Sequence, residues 1–247
     1  MRIGCLLILY CLVFINTGHA QFKKGDQMAG ASVGSLFFNA GRTEVSFPDF
    51  SGYSGKTSSW GLRIEPTMGW FITNKTVIGA SLNISPGSEK IRYEDNGTTF
   101  QEDRTSTFHI GVGAFARHYF NTGTVFMPFG HFGFNTGLHT MNTEGFRYYS
   151  GNPDYKNSYE GKSSGGFFAN ASGLFGFTRM LGSNTGLDIF AGYSFSYNKN
   201  TLKTTTSTDL DLDGDIDYTS VNEPTTSFTS HGFILGVGFQ VFLTGKK

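Results

Sequence analysis

The chain contains little cysteine and little charge, and no long apolar run follows its first twenty residues. Both cysteines, Cys5 and Cys11, lie in the N-terminal stretch, so the remainder of the 247-residue chain cannot build a disulfide framework. Charged residues make up 15% of the chain, and 19 basic residues balance 19 acidic ones. This balance argues against a nucleic-acid partner and against a basic membrane-surface anchor.

The first twenty residues have the pattern of a signal peptide. Arg2 supplies a positive charge, residues 5–15 are apolar, and Gly18-His19-Ala20 places small residues at a cleavage site. The apolar run is too short to cross a bilayer as a helix, which takes roughly 20 residues. We therefore predict an exported chain in which residues 1–20 are a signal peptide and residues 21–247 form one domain.

Glycine and aromatic residues are abundant, with 34 Gly, 26 Phe and 11 Tyr. In many segments large apolar residues alternate with small or polar ones, and a β-strand places such sets on opposite faces. From Trp60 to Trp70 the large apolar residues hold even positions, whereas Arg63 and Glu65 hold odd positions. We expect the large residues to face lipid and the small and polar residues to face inward.

This alternation predicts eight strands, at residues 27–38, 57–70, 76–86, 106–120, 125–139, 165–180, 186–198 and 228–243. Connectors at 71–75, 121–124 and 181–185 are short, whereas those at 39–56, 87–105, 140–164 and 199–227 are long and polar. The predicted fold class is all-β: an eight-stranded antiparallel transmembrane β-barrel with short periplasmic turns, long extracellular loops and periplasmic termini. Pro66 lies within a strand, so we expect a local bulge or distortion there.

Three segments resemble a known family: residues 66–74 (PTMGWFITN), 77–82 (VIGASL) and 114–120 (AFARHYF). They are similar to the OmpA-like or PorT-like outer-membrane β-barrel proteins of Bacteroidota, which tend to have Tyr where Trp70 and His118 stand here. The resemblance implies a place in the cell outer membrane of a Gram-negative bacterium. It also implies contact with the lipid bilayer, lipopolysaccharide and the outer-membrane insertion machinery. We expect no peptidoglycan-binding domain after the barrel, because the last strand ends near Leu243.

Inward-facing polar residues predict a network inside the barrel, formed by Arg63, Glu65, Arg117 and His131 together with Asn135 and Asn170. The interior of an eight-stranded barrel is just wide enough for side chains, and a charge there must be paired or hydrated. We predict that Arg63 or Arg117 pairs with Glu65 and that side chains fill the lumen. The alternative is a narrow pore for small solutes, lined by the same groups.

Two histidines, His109 and His139, are expected at similar heights on neighbouring strands. They could begin a metal site, but no third ligand is evident and a closed site takes four. We interpret them as polar lining.

An acidic stretch gives the sharpest motif: Asp209, Asp211, Asp213, Asp215 and Asp217, with Gly214 among them. Carboxylates at positions 1, 3 and 5 and glycine at position 6 match the start of an EF-hand-type calcium loop. Position 12 falls on Ser220, where a bidentate carboxylate is expected. The hypothesis is a weak Ca²⁺ site in the last extracellular loop, and the alternative is a solvated acidic loop. We predict no other cofactor.

We find no catalytic constellation. Lipid A-modifying barrel enzymes use a histidine together with a serine and a carboxylate, and Ser230 and His231 supply two of these residue types. However, adjacent residues point to opposite sides of a strand. We therefore predict that the chain is not an enzyme and has a structural or surface-interaction role, in binding or adhesion, through its extracellular loops. The candidate contacts for a surface protein or glycan are tyrosines of the third loop: Tyr148, Tyr149, Tyr155 and Tyr159.

Overall fold

The computed structural model describes residues 22–47, 50–95, 97–149 and 154–243. The predicted signal peptide and both cysteines lie outside the described residues. No helix in the described part of the chain has the length and apolar character needed to cross a membrane. The described residues form nine β-strands: β1 Gln27–Phe47, β2 Phe50–Phe71, β3 Thr76–Asp95, β4 Thr98–Tyr119, β5 Phe126–Tyr149, β6 Tyr155–Met180, β7 Thr185–Asp209, β8 Tyr218–Asn222 and β9 Thr225–Leu243.

The strand pairing closes into a ring. Consecutive strands from β1 to β7 pair antiparallel, and β9 pairs with β7 on one side and with β1 on the other. The short β8 pairs with residues 204–208 of β7, just beyond the part that pairs with β9. β8 and β9 therefore share the eighth position of the ring, interrupted at Glu223 and Pro224. The predicted eight-stranded antiparallel fold is confirmed.

The two faces of the sheet differ as the alternation predicts. Large apolar side chains point outward and stay exposed in a band that we call the lipid belt, formed by Trp60, Trp70, Phe108, Val112, Phe132, Leu138, Phe175, Phe233 and Leu235. An apolar surface of this extent is rare on soluble proteins but is what a bilayer solvates. A closed sheet also satisfies its backbone hydrogen bonds without water. The outer-membrane localisation expected from the sequence is therefore confirmed.

One end of the barrel, which we call the turn end, has short connections at residues 72–75, 120–125 and 181–184. Gln27, the first residue of β1, pairs there with Trp70 and with Leu243. The described chain therefore enters and leaves the barrel at the turn end. The opposite end, where the strands continue into long hairpins, is called the hairpin end.

The long polar connectors predicted at the hairpin end are mostly strand, so this part of the prediction is wrong. β6 has 26 residues and β7 has 25, whereas a tilted strand crosses a membrane in about 9–11 residues. We call the described parts of residues 39–56, 87–105, 140–164 and 199–227 the collar. In the collar both faces of the sheet are largely polar, so the hydrophobic alternation ends although the backbone pairing continues.

The distortion expected at Pro66 is present as an interruption of strand pairing, and not as a bulge. Ile64 and Thr67 have partners on β3, whereas Pro66 has none there and pairs only with Ala31 of β1. Proline has no N–H to donate, so the β2–β3 ladder is interrupted at this position without a change of register. The register shift lies in β1–β2 pairing instead, next to Val33.

The apolar core lies inside the turn end of the barrel. We call it the aromatic plug, and its buried members include Phe22, Met28, Phe71, Tyr119, Met127, Phe129, Met180 and Phe242. The ring of Phe22 lies 4.5 Å from the rings of both Phe71 and Phe242, centroid to centroid. Backbone bonds from Gly25 N to Phe71 O (2.8 Å) and from Phe71 N to Asp26 O (2.9 Å) hold the segment before β1 across this end.

Candidate functional site

A buried ion pair crosses the lumen next to the aromatic plug. Arg117 on β4 and Asp188 on β7 approach to 2.6 Å between Nη1 and Oδ2, and their side chains are 6% and 0% exposed. Asp188 also accepts hydrogen bonds from Thr178 Oγ1 at 2.6 Å and from Gln240 Nε2 at 3.0 Å. The guanidinium of Arg117 lies 4.1 Å from the ring centre of Phe129. Both charges are therefore satisfied by fixed partners, which a buried pair requires.

The sequence left open whether Arg63 or Arg117 pairs with Glu65, and for Arg117 the structure corrects this, because its partner is Asp188. Glu65 Oε1 instead accepts a hydrogen bond from Asn135 Nδ2 at 3.3 Å, and Asn135 Oδ1 accepts one from Ser81 Oγ at 2.8 Å. Sequence reasoning missed Asp188, although it lies on the inward side of β7. The usable signal was its place between the outward-facing Leu187 and Ile189.

The other predicted lumen residues line one small cavity with Glu65. Arg63 is among them, and its buried Nε has no hydrogen-bond partner among the described residues. His131 Nδ1 accepts a hydrogen bond from Arg117 Nε at 3.4 Å, and its ring stacks on Phe115 with centroids 5.3 Å apart. The cavity measures about 40 Å³, whereas ligand pockets measure roughly 300–1,000 Å³. It has room for a few water molecules only.

His109 and His139 are direct partners across β4 and β5, with ring centroids 4.2 Å apart. The ring of Phe168 packs edge-on against His109 at 5.4 Å. No third histidine, cysteine or carboxylate among the described residues joins them at a spacing that could hold a metal ion. The pair therefore has the geometry of lumen lining.

The collar carries a different kind of charge pairing, on surfaces open to solvent. Glu102 bridges Lys90 and Arg92, with nitrogen–oxygen distances of 2.6 Å and 2.8 Å. Lys56 Nζ lies 2.6 Å from Glu94 Oε2. The hydrogen bond from Lys90 lowers the pKa of Glu102, and the hydrogen bond from Lys56 lowers the pKa of Glu94.

A cleft of about 550 Å³ lies on the collar, across β4, β5, β6 and β7. Its lining mixes charged and hydroxyl side chains, among them Glu102, Glu144, Lys156, Ser158 and Thr205. The cleft therefore offers hydrogen-bond donors, acceptors and charges of both signs to a polar ligand.

The four tyrosines predicted as contact residues lie on strands, at the ends of β5 and β6, and not in a loop. Tyr149 and Tyr155 stack on each other with centroids 4.5 Å apart. Tyr159 donates its hydroxyl to Asp103 Oδ1 at 2.5 Å, and burial raises the pKa of Tyr159. Tyr148 is 41% exposed, and Lys156 Nζ lies 5.3 Å from the centre of its ring. Tyr148 is the most open of the four, since its side chain is exposed whereas the other three are partly buried, and its ring also packs against Phe146.

The acidic motif forms the connection between β7 and β8. One carboxylate oxygen from each of Asp209, Asp211 and Asp217 lies within 4.8 Å of the others. Asp213 and Asp215 lie outside this group, so the structure brings together three of the five predicted ligands.

Ser230 and His231 point to opposite sides of β9, as expected for adjacent strand residues. His231 is exposed beside Phe233 and hydrogen-bonds through Nδ1 to the hydroxyl of Tyr193. Its ring is thus engaged on the outer surface of the barrel.

No family model and no curated protein matches this chain. The outer membrane protein OprG from Pseudomonas aeruginosa matches with 16% identity and a TM-score of 0.28, over 90% of this chain and 97% of OprG. A major outer membrane protein from Thermus thermophilus gives 10% identity and a TM-score of 0.39, over 89% and 99%. The outer membrane protease OmpT from Escherichia coli gives 12% identity and a TM-score of 0.31, over 90% and 98%.

The expectation that this chain is not an enzyme stays a prediction. Similarity this low to solved structures gives no information on activity, and the fold is assigned from the strand pairing of this chain itself.

Proposed function

We propose that this chain is a non-conducting outer-membrane barrel that displays its collar at the cell surface for binding. The observation that carries this proposal is the filled lumen. The aromatic plug occupies the turn end, the Arg117–Asp188 pair crosses the lumen beside it, and the cavity that Arg117 lines measures about 40 Å³. A solute would have to displace buried, hydrogen-bonded charges to pass, and breaking such pairs is costly.

The collar then faces the outside of the cell and the turn end faces the periplasm. Outer-membrane barrels have short periplasmic turns and long extracellular segments, and the long polar strand extensions of this chain are all at the hairpin end. Strands of 20 to 26 residues in β3 to β7 carry the collar well beyond the lipid belt. The collar is therefore a rigid, paired sheet and not a set of independent loops.

The binding partner we propose is a surface protein or glycan. Support comes from the mixed polar lining of the collar cleft and from the exposed ring of Tyr148, which lies at the same end of β5 and β6. Aromatic rings combined with hydrogen-bonding groups are typical of recognition surfaces. We assign no catalytic role to any residue.

We further propose that the chain belongs to the OmpA-like or PorT-like barrels of Bacteroidota. The support is the resemblance of residues 66–74, 77–82 and 114–120 to that family. In this proposal the lipid belt contacts lipopolysaccharide and lipid chains, and the insertion machinery reads the alternating apolar residues of β9.

Recordings in planar lipid bilayers test the closed lumen. The folded barrel, identified by heat-modifiable migration on a gel, is expected to give no steady current. A steady ohmic conductance would overturn the closed-lumen proposal in favour of the alternative, a narrow pore for small solutes.

A binding comparison tests the collar. The folded barrel is assayed against a panel of bacterial surface polysaccharides and purified outer-membrane proteins. Tyr148→Ala is expected to weaken binding about tenfold, the effect of losing a central aromatic contact of roughly 1.4 kcal/mol. Tyr218→Ala is the matched control, since Tyr218 is 61% exposed and lies on β8, three strands from β5 in the ring. Equal weakening by both variants, or no binding to any member of the panel, would contradict the proposed binding role.

A further inference from the structure

We propose that the connection between β7 and β8 is a calcium site, with Asp209, Asp211 and Asp217 as its protein ligands. This inference concerns one hairpin of the collar and does not depend on the surface-binding role proposed above. It also narrows the sequence hypothesis, which named all five of Asp209, Asp211, Asp213, Asp215 and Asp217, to three of them.

The spacing of the three carboxylates suits a calcium ion. One oxygen from each lies within 4.8 Å of the other two. Calcium binds oxygen at about 2.3–2.6 Å, so two oxygens on one ion lie at most about 5 Å apart. Magnesium demands a nearly ideal octahedron and gives up its water reluctantly, so it is usually held by one or two carboxylates and not by a set of three from the protein. An all-carboxylate set disfavours the softer metals that prefer nitrogen and sulfur.

The burial of Asp209 is the independent observation that points to a cation. This side chain is 8% exposed, in contrast with the exposed Asp211 and Asp217. Its Oδ2 accepts a hydrogen bond from the N–H of Gly214 at 3.2 Å, so the carboxylate is directed into the connection. Its Oδ1 is buried and has no hydrogen-bond partner in the part of the chain that the structure describes. A buried carboxylate oxygen without a partner is costly, and a bound cation would remove that cost.

The local hydrogen bonds explain which aspartates take part. Asp217 Oδ2 accepts from Leu210 N at 2.8 Å, which ties the two ends of the connection together. Asp213 Oδ1 accepts a hydrogen bond from Asp215 N at 2.8 Å, which directs the Asp213 side chain to the backbone and away from the three ligand carboxylates. Gly214 has a φ of 95°, a left-handed conformation that glycine adopts without strain and that reverses the chain here.

Ser220, the residue at position 12 of the motif, lies on β8, where it pairs with Thr206. A bidentate ligand is therefore missing at this position, and the site holds three carboxylates from one short segment. Sites of extracellular modules with few charged ligands bind calcium in the range of about 10⁻⁴–10⁻³ M. We expect the affinity of this site to fall in that range.

Isothermal titration calorimetry with CaCl₂ on the folded barrel in detergent micelles tests the proposal. Asp211→Asn and Asp215→Asn form a matched pair, because each removes one negative charge from an exposed side chain of the same connection. Asp211→Asn is expected to weaken calcium binding about tenfold or more, as affinity follows the count of charged ligands. Asp215→Asn is expected to change the dissociation constant by less than about twofold.

Three results would overturn the site. These are the absence of calcium binding at millimolar concentration, equal weakening by the two variants, and a titration with MgCl₂ that matches the one with CaCl₂. Equal weakening of calcium binding by Asp211→Asn and Asp215→Asn would indicate a diffuse acidic surface without specific ligands. Heat-modifiable migration confirms that each variant is folded. Asp217→Asn provides a second test, since its amide oxygen can still accept the hydrogen bond from Leu210 N, and it is expected to weaken binding as Asp211→Asn does.

Discussion

The lumen inside the lipid belt and the collar beyond it are built from the same strands, but charged pairs are buried in the lumen and exposed to solvent in the collar. β4 carries an arginine in each region. In the lumen Arg117 is 6% exposed and lies 2.6 Å from a fully buried Asp188. In the collar Arg104 and its partner Glu144 are 58% and 63% exposed, and their charged atoms lie 3.6 Å apart.

The difference shows where this molecule can bind something. A charge in the lumen has lost its water and must keep its protein partners, so these residues are committed to holding the strands together. Charges in the collar keep much of their hydration and are screened by salt, so each pair contributes little and a ligand can compete for its members. The lumen is therefore scaffold, and the collar is the accessible surface.

The largest expected effect comes from Asp188→Ala, which leaves Arg117 buried without its counter-charge. Removing one member of a buried pair destabilises proteins by about 3–5 kcal/mol. Urea unfolding of the barrel in lipid vesicles, followed by tryptophan fluorescence, is expected to show a loss of this size. A loss below about 1 kcal/mol would mean that the pair is as dispensable as the exposed pairs of the collar.

A double substitution separates charge from packing at this position. Arg117→Met together with Asp188→Leu removes both charges and keeps apolar volume, which can be neutral or stabilising at buried pairs. We expect the double variant to be more stable than Asp188→Ala alone. If it is not, the unpaired charge of Arg117 is not the cause of the lost stability.

The next effect concerns packing inside the lumen at Gly236, the direct partner of Phe190 on the neighbouring strand β7. A Cβ placed there would lie 2.3 Å from Cζ of Phe190, whose ring is buried against this glycine. Gly236→Ala is expected to cost about 1–3 kcal/mol, as overpacking does in other cores. Gly232→Ala is the control four residues earlier on β9, where a Cβ would meet no atom of the described chain within 4 Å. Equal unfolding free energies for the two variants would contradict a tight lumen.

The fold within the lipid belt could be predicted from the sequence because the two faces of each strand meet different surroundings. Lipid selects large apolar residues outside, and the narrow lumen selects small or polar ones inside, so the alternation is strong from Trp60 to Trp70. In the collar water wets both faces, so the alternation fades while the backbone ladder continues. Thr and Tyr, both good strand formers, are frequent there, and that was the remaining signal. The collar was therefore predicted as loops although it is sheet.

The site was predicted in part for a related reason. Alternation decides which side of a strand a residue faces, so Arg117 was placed in the lumen correctly. It does not decide which residue lies opposite, because that depends on how far the strands are staggered around the ring. Asp188 lies three strands away from Arg117 in the ring order, and nothing local in the sequence connects the two.

A smaller effect is expected from Glu102→Gln in the collar. Glu102 pairs with both Lys90 and Arg92, yet all three side chains remain partly exposed. Exposed pairs contribute about 0.2–1 kcal/mol each, so losing two of them is expected to change the unfolding free energy of the whole barrel by about 2 kcal/mol at most. Hydrogen exchange should nevertheless quicken at the β3–β4 hairpin. A loss as large as that of Asp188→Ala would erase the distinction between collar and lumen.

The smallest expected effect is a loosening of the same hairpin in acid. Lysine hydrogen bonds lower the pKa of Glu94 and Glu102 from the ordinary value of 4.5. A carboxyl whose pKa is lower in the folded state than in the unfolded state stabilises the fold above the unfolded value. That contribution disappears as pH falls through the folded value. Hydrogen exchange at β3 and β4, corrected for its intrinsic pH dependence, is therefore expected to quicken only below about pH 4.5. Glu102→Gln should reduce this increase in the exchange rate. An increase centred near neutral pH would instead be assigned to histidines and not to these carboxylates.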